Sequence, residues 1–296
     1  MQVHCVDAAD LAENAMSKER VVFWYGCNVV RHGDIIHHAI DLLRAAGIEP
    51  EPAGGPGYCC GTQKDDKLHA AESMAKRTVG KFNALGKDQV ITWCPSCHRH
   101  MNSFMGQYTE ANFSVSHFVQ ILHRNCERLA REFRHSVPRR VMLHKHIGFQ
   151  EVENLNDLIV DLLRLVPGLT LIENDYAAPG HMCSALVSVP AVLRDVTRRL
   201  CDDARAAGVD DVATVFHSCQ RLMCAVEGSE PFRVLNYVAL LGAALGREYP
   251  DEYKSWKTAA GEDEIVERVG PERIAKMGEP LFKSAVLPEL LRRPQK

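Results

Sequence analysis

Five cysteines in the first hundred residues carry a spacing suited to metal chemistry: Cys27, then Cys59-Cys60-Gly61, then Cys94-Pro95-Ser96-Cys97. Thirty-one residues separate Cys27 from Cys59, and thirty-three separate Cys60 from Cys94. A cubane iron–sulfur cluster takes four thiolates and zinc takes four ligands. Five converging thiolates therefore point to a cluster of unusual shape, or to one with a sulfur to spare for chemistry. Adjacent thiols such as Cys59 and Cys60 are poorly placed to ligate one metal together, but they can bridge two irons of one cluster. Cys94 and Cys97, spaced by Pro95 and Ser96, form a compact bidentate clamp. Gly54, Gly55, Gly57 and Gly61 let the backbone approach closely around the pair. Arg31, His32, Lys64, His98 and Arg99 lie near in sequence and would offset thiolate charge. Lys64, His98 and His32 are the catalytic candidates, with His100 a further group able to orient substrate or move protons. On the residues alone an iron–sulfur cluster leads, with a zinc site and a disulfide plus free thiol remaining open.

The elements that would position these residues are repeated. Residues 20–101 align with residues 140–223 in three blocks. RVVFWYGC matches RVMLHKHI, PGYCCGT matches PGHMCSA, and QVITWCPSCHRHM matches DVATVFHSCQRLM. The offsets, 120, 123 and 122 residues, are nearly constant. Each block opens on a short β-branched and aromatic run, Val21–Tyr25 or Val141–Leu143, that reads as a buried strand. An amphipathic helix follows: Asp34–Ala46, with Ile35, Ile36, Ile40, Leu42 and Leu43 on its apolar face, or Glu151–Leu165. A second strand leads to the Cys-Cys or Met-Cys loop, then a helix (about 65–86; about 187–207). A third strand, Gln89–Trp93 or Asp211–Phe216, runs into the Cys-x-x-Cys position. Alternating strands and helices predict an α/β protein of two duplicated Rossmann-like parallel-sheet halves related by pseudo-two-fold symmetry, with additional C-terminal helices. Ligands gather beyond the carboxyl ends of such strands, where all five cysteines fall.

The domain limits expected are a flexible arm at 1–19, a first domain at 20–115, a connecting helix within 116–139 (Ser116–Phe133), a second domain at 140–230, and C-terminal helices and tail at 231–296. The last opens with an apolar helix over Pro231–Leu245. A net charge of −3 offers no basic field for nucleic acid. The longest apolar stretch, Tyr237 to Gly246, is far short of the roughly 20 residues that span a bilayer, and the polar N-terminus lacks a signal-peptide core. A cytoplasmic location is the expectation, in which 11 cysteines signify metal or redox work rather than disulfides. Cys126 and Cys201 read as ordinary buried thiols in helices.

The second copy of the motif is altered. Ile147, or His146 one residue earlier, stands at the first cysteine position; Met182-Cys183 stands for the pair; Phe216 replaces one cysteine of the last, leaving Cys219. Other ligands are plentiful, and a possible second site draws on Cys183, Cys219, Cys224, His146, His181 and His217. His144 and His146 alternate on a strand and so face one side. Zinc, an iron–sulfur cluster of mixed ligation and a metal-free relic all stay open here.

The five-cysteine pattern resembles the Cys-Cys-Gly domain family, and over residues 20–247 the duplicated chain with its late apolar helix is most similar to the B-type polypeptide of heterodisulfide reductase. The resemblance implies that Cys27, Cys59, Cys60, Cys94 and Cys97 are the ligands of a noncubane 4Fe–4S cluster. With one intact motif, the chain looks like the B-type subunits of heterodisulfide reductase-like complexes of sulfur oxidisers, which handle thiol, disulfide or sulfane sulfur. Implied partners are a ferredoxin-like iron–sulfur subunit, a flavoprotein subunit and a lipoate-binding sulfur carrier. This chain has no nucleotide fingerprint and no eight-cysteine ferredoxin motif of its own. Two alternatives are an electron-transfer subunit of lactate, glycolate or succinate oxidation, and a zinc-containing scaffold subunit.

Overall fold

Strand and helix alternate from Val21 onward in the computed structural model, which describes residues 20–61, 67–148 and 154–293. The first half runs β1 (Val21–Gly26), α1 (Gly33–Ala45), β2 (Pro50–Gly54), α2 (Leu68–Leu85), β3 (Gln89–Thr92), α3 (Pro95–Ser103), β4 (Ser114–His117), α4 (Phe118–Arg124) and α5 (Cys126–Glu132). The second runs β5 (Arg140–His146), α6 (Leu155–Arg164), β6 (Thr170–Ile172), β7 (Ala177–Ala178), α7 (Pro190–Ala207), β8 (Asp211–Thr214), α8 (His217–Met223), β9 (Arg233–Asn236) and α9 (Tyr237–Ala244). Five short helices follow: α10 (Glu252–Lys257), α11 (Glu262–Val269), α12 (Pro271–Met277), α13 (Glu279–Leu281) and, after a π turn, α14 (Leu287–Leu291).

Two parallel sheets result. The first has the order β2-β1-β3-β4, the second β6-β5-β8-β9, with β7 paired to the far end of β5. The apolar runs explain the parallel pairing. Val21, Val22, Phe23 and Trp24 are buried on both faces of β1, as are Val141, Met142 and Leu143 on β5, which suits strands covered by helices on either side. In each sheet the strand order reverses between the first and third strands, and the crevice that opens at such a switch point lies beyond their carboxyl ends.

The segments between and after the predicted domains differ from expectation. Ser116–Phe133 is not one helix: its start belongs to β4, and α4 and α5 are separated at Asn125. Likewise Pro231–Leu245 begins as β9 before α9. Both fourth strands are short and largely polar, and each ends on a residue whose side chain caps the next helix. His117 accepts from the Val119 N–H and Asn236 from the Val238 N–H.

One apolar core spans both halves, joining α1 and α4 to α6 and α9. The approach of α1 to α9 is tight: a methyl group at Gly242 would lie 2.1 Å from His38 Nδ1. The C-terminal helices hold a separate core of Tyr253, Ala259, Ile265, Val269, Phe282, Leu287 and Leu290. Among the described residues, no helix is long and apolar enough to cross a membrane.

Candidate metal centres

The five first-half cysteines arrive from three strand ends. Cys27 follows β1, Cys59 and Cys60 follow β2 through the turn Pro56–Tyr58, and Cys94 caps α3 after β3, with Cys97 one turn on. All five line one cavity of about 800 Å³. Their thiols form a chain of hydrogen-bonding contacts, Cys27 to Cys59, Cys59 to Cys60, Cys60 to Cys97 and Cys97 to Cys94. Gly26, just before Cys27, has φ at +82°, a backbone region that L side chains rarely adopt. Sequence expectation and structure agree on this convergence.

The thiols are unlike one another. Contact with the Cys27 and Cys60 thiols holds Cys59 far below its ordinary pKa. Cys94 is brought down to about 7 by the Cys97 hydrogen bond, against its burial. Cys27 and Cys97 are pushed up, chiefly by those same thiol contacts and then by burial. A corner that gathers five thiols can hold a group of metal ions, because each metal–sulfur bond displaces a proton.

The opposite wall of the cavity comes from the second half and the C-terminal helices. His181, Met182, His217 and Arg221 face the thiols, together with Tyr253, Lys257, Glu289 and Arg292. Glu289 gathers this wall: its carboxylate lies 2.8 Å from Arg31 Nη1 and 3.6 Å from Arg221 Nε, and accepts from the Tyr253 hydroxyl at 2.9 Å. Lys257 is fully buried, donates to the Glu289 carbonyl, and is brought down to about 8 by burial. Arg31, Arg221, Lys257 and Arg292 therefore set four cationic groups against one carboxylate. The sequence alone does not foretell this wall, since most of its residues lie a hundred to two hundred positions from the cysteines.

The second half builds a smaller centre. His144, His146, Cys183 and Cys219 are all buried, and their ligand atoms lie within 4.8 Å of one another. His144 Nε2 and His146 Nε2 each stand 3.2 Å from Cys183 Sγ, and the Cys183 backbone N–H donates to Cys219 Sγ at 3.3 Å. A zinc tetrahedron with bonds of about 2.0–2.3 Å has edges of roughly 3.3–3.8 Å, so the set already has nearly the right size. His146 Nδ1 lies 3.3 Å from the Pro179 carbonyl, which fixes Nε2 as the inward atom. Burial opposes ionisation, yet the Cys183 thiol and His146 hold Cys219 well below the ordinary thiol range, while burial first and Cys219 second push Cys183 up. Two soft and two imidazole ligands in a closed, buried set fit a structural zinc ion.

The remaining sequence candidates fall elsewhere. Ile147 is 72% exposed, which leaves His146 as the residue in the position of the first cysteine. Cys224 is buried, with Sγ 3.8 Å from the Arg221 carbonyl, apart from the four ligands. His181 and His217 belong to the wall of the thiol cavity, and His217 Nδ1 accepts from Trp93 Nε1 at 3.4 Å. His98 is a satisfied core histidine: Nδ1 is 3.0 Å from Thr92 Oγ1 and Nε2 is 3.0 Å from Asn102 Nδ2. His100 is buried beside Phe104. His32 is buried against Tyr253, with ring centroids 4.8 Å apart. None of these three lines the cavity, so neither His98 nor His32, expected as catalytic groups, is brought to the thiols. Lys64 and the arm at 1–19 lie outside the described residues. Cys201 is a buried thiol, as expected, whereas Cys126 is buried and disulfide-bonded.

Comparison with known proteins agrees with the first corner. Residues 21–102 match the family model of the CCG cysteine-rich domain. No curated protein matches the chain in sequence. Among solved structures, an aspartate racemase homologue from Pyrococcus horikoshii OT3 aligns with 77% of this chain and 98% of its own, at 9% identity and a TM-score of 0.32. A likeness that distant carries no argument about either fold or activity.

Proposed function

We propose that this protein is an iron–sulfur redox subunit of a heterodisulfide reductase-like complex, handling thiol, disulfide or sulfane sulfur in the cytoplasm. The observation that carries the reading is the convergence of Cys27, Cys59, Cys60, Cys94 and Cys97 on one wall of a substrate-sized cavity. These residues would hold a noncubane 4Fe–4S cluster, which supplies a site for sulfur ligation and electron exchange when bound. The rest of the cavity belongs to the protein. Arg31, Arg221, Lys257 and Arg292 favour an anionic sulfur compound, since opposite charge counts for more away from bulk water. Glu289 holds two of the arginines in place, and Met182 and Leu222 offer an apolar seat.

On this reading His144, His146, Cys183 and Cys219 hold zinc as a structural ion, and the two halves descend from one duplicated unit. Electrons pass to or from a ferredoxin-like subunit and a flavoprotein subunit, with a lipoate-binding carrier as a source of bound sulfur. The test is anaerobic purification followed by iron, sulfide and zinc analysis and EPR of oxidised and reduced samples. Brown protein with about four irons and an EPR signal supports the assignment. Colourless protein with zinc alone would sink it in favour of a scaffold.

A further inference from the structure

We propose a third metal site, built from His32, Asp34 and Asp251, that takes a divalent first-row cation such as manganese and fastens the C-terminal helices to the first half. A ring nitrogen of His32 and a carboxylate oxygen from each aspartate lie within 4.8 Å of one another. His32 is 1% exposed and Asp34 6%. Both ring nitrogens of His32 and Oδ1 of Asp34 are buried without a hydrogen-bond partner. Buried polar atoms are paired in nearly all native structures, so three orphaned atoms in one cluster call for something to pair them. A fourth is nearby: Gln220 donates through Nε2 to Asp251 Oδ2, while its Oε1 is buried and unpartnered.

Charge points the same way. Two carboxylates so placed repel each other away from water. Both cations of α10 are already engaged: Lys254 Nζ lies 3.0 Å from Glu227 Oε1 and 3.1 Å from the Val234 carbonyl, and Lys257 donates to the Glu289 carbonyl. A divalent ion neutralises both carboxylates and uses the imidazole at once. The donors are one imidazole and hard oxygens with no thiolate, a set suited to a hard divalent ion such as manganese.

The position gives the ion a task. His32 and Asp34 follow β1, five and seven residues beyond Cys27. Asp251 caps α10, accepting from the Lys254 N–H at 2.9 Å. That helix carries Tyr253 and Lys257 into the thiol cavity. The ion therefore ties the cavity's far wall to the loop that bears its first cysteine. The site stands on its own residues and is independent of what the five thiols bind.

Titration of the full-length protein with Mn²⁺, followed by loss of the free-ion EPR signal, tests this. One bound equivalent is expected, with nitrogen modulation from a single imidazole in the spin-echo spectrum and a raised melting temperature. Asp251→Asn and Asp34→Asn should each weaken binding more than about 100-fold, beyond the loss of an outer-shell partner. Cys201→Ser, which alters a thiol outside all three centres, should bind manganese as the wild type does. Manganese left free by the wild-type protein, bound without nitrogen coupling, or held equally by both aspartate variants overturns the site. The spin-echo result on the wild type decides even where a variant folds poorly.

Discussion

The corner after β1, β2 and β3 and the corner after β5, β7 and β8 occupy matching places in two sheets of matching order, yet they differ in chemistry. The first is open, lined by five thiols beside an 800 Å³ cavity. The second is closed, with two histidines and two cysteines buried and the apolar Phe216 ring 6.0 Å from His146. Openness is what a reacting centre needs, and closure is what a structural ion needs. The difference teaches that imidazoles and Phe216, standing where the first corner has thiols, leave a closed four-ligand set in place of an open five-thiol one.

The largest expected effect breaks the first corner alone. Cys60→Ser or Cys94→Ser should abolish iron binding and colour while leaving zinc content unchanged, and Cys201→Ser should lose neither; metal analysis of the three proteins checks this. The converse change, Cys219→Ser or His146→Ala, should remove zinc with iron retained, and should lower the melting temperature sharply because closed zinc sites contribute folding energy directly. Loss of both metals in either variant would show that the corners are not separable. Smaller is Gly242→Ala, whose added methyl would meet the His38 ring between the halves. Overpacking of this kind costs about 1–3 kcal/mol, measurable by denaturant unfolding.

The last prediction concerns the opposite, amino ends of the same strands. In the first sheet Asp88 pairs with Arg20 in the open, both side chains more than half exposed. In the second, fully buried Asp211 is gripped by Arg139 at 2.8 and 3.1 Å and by Arg233 at 2.7 and 3.2 Å. Although burial opposes it, these guanidiniums hold the Asp211 carboxyl below the usual carboxylate range. A depressed folded pKa stabilises fully above the unfolded value, near 4, and that stability is lost as pH falls through the folded value. Asp211→Asn should therefore cost about 2 kcal/mol at neutral pH, with the deficit shrinking on acidification below about pH 4. A deficit independent of pH would assign the loss to packing instead.

Much of this was legible in the sequence. Constant offsets located both sheets, and thiol spacing located the first corner, because both are properties of residues near one another along the chain or repeated within it. His144 and His146 were readable from strand alternation. The fourth strands were not, since Ser114–His117 and Arg233–Asn236 are short, polar edge segments that acquire strand geometry only by pairing with β3 and β8. Nor was the wall of Tyr253, Lys257 and Glu289, or the meeting of Asp251 with His32. Those contacts join segments some two hundred residues apart, and no local pattern encodes them. His98 misled because a histidine beside a cysteine motif looks reactive until Thr92 and Asn102 are seen to satisfy it.

The late position of the cavity's far wall also sets an order of events in synthesis. Chains fold from the N-terminal side as they emerge, and all five thiols precede Tyr253 and Glu289 by more than a hundred and fifty residues. The thiol corner is thus made first and stays uncovered while the rest of the chain follows. On the proposed reading, iron and sulfide would have an unobstructed face during that interval, before docking of the final helices closes the vessel.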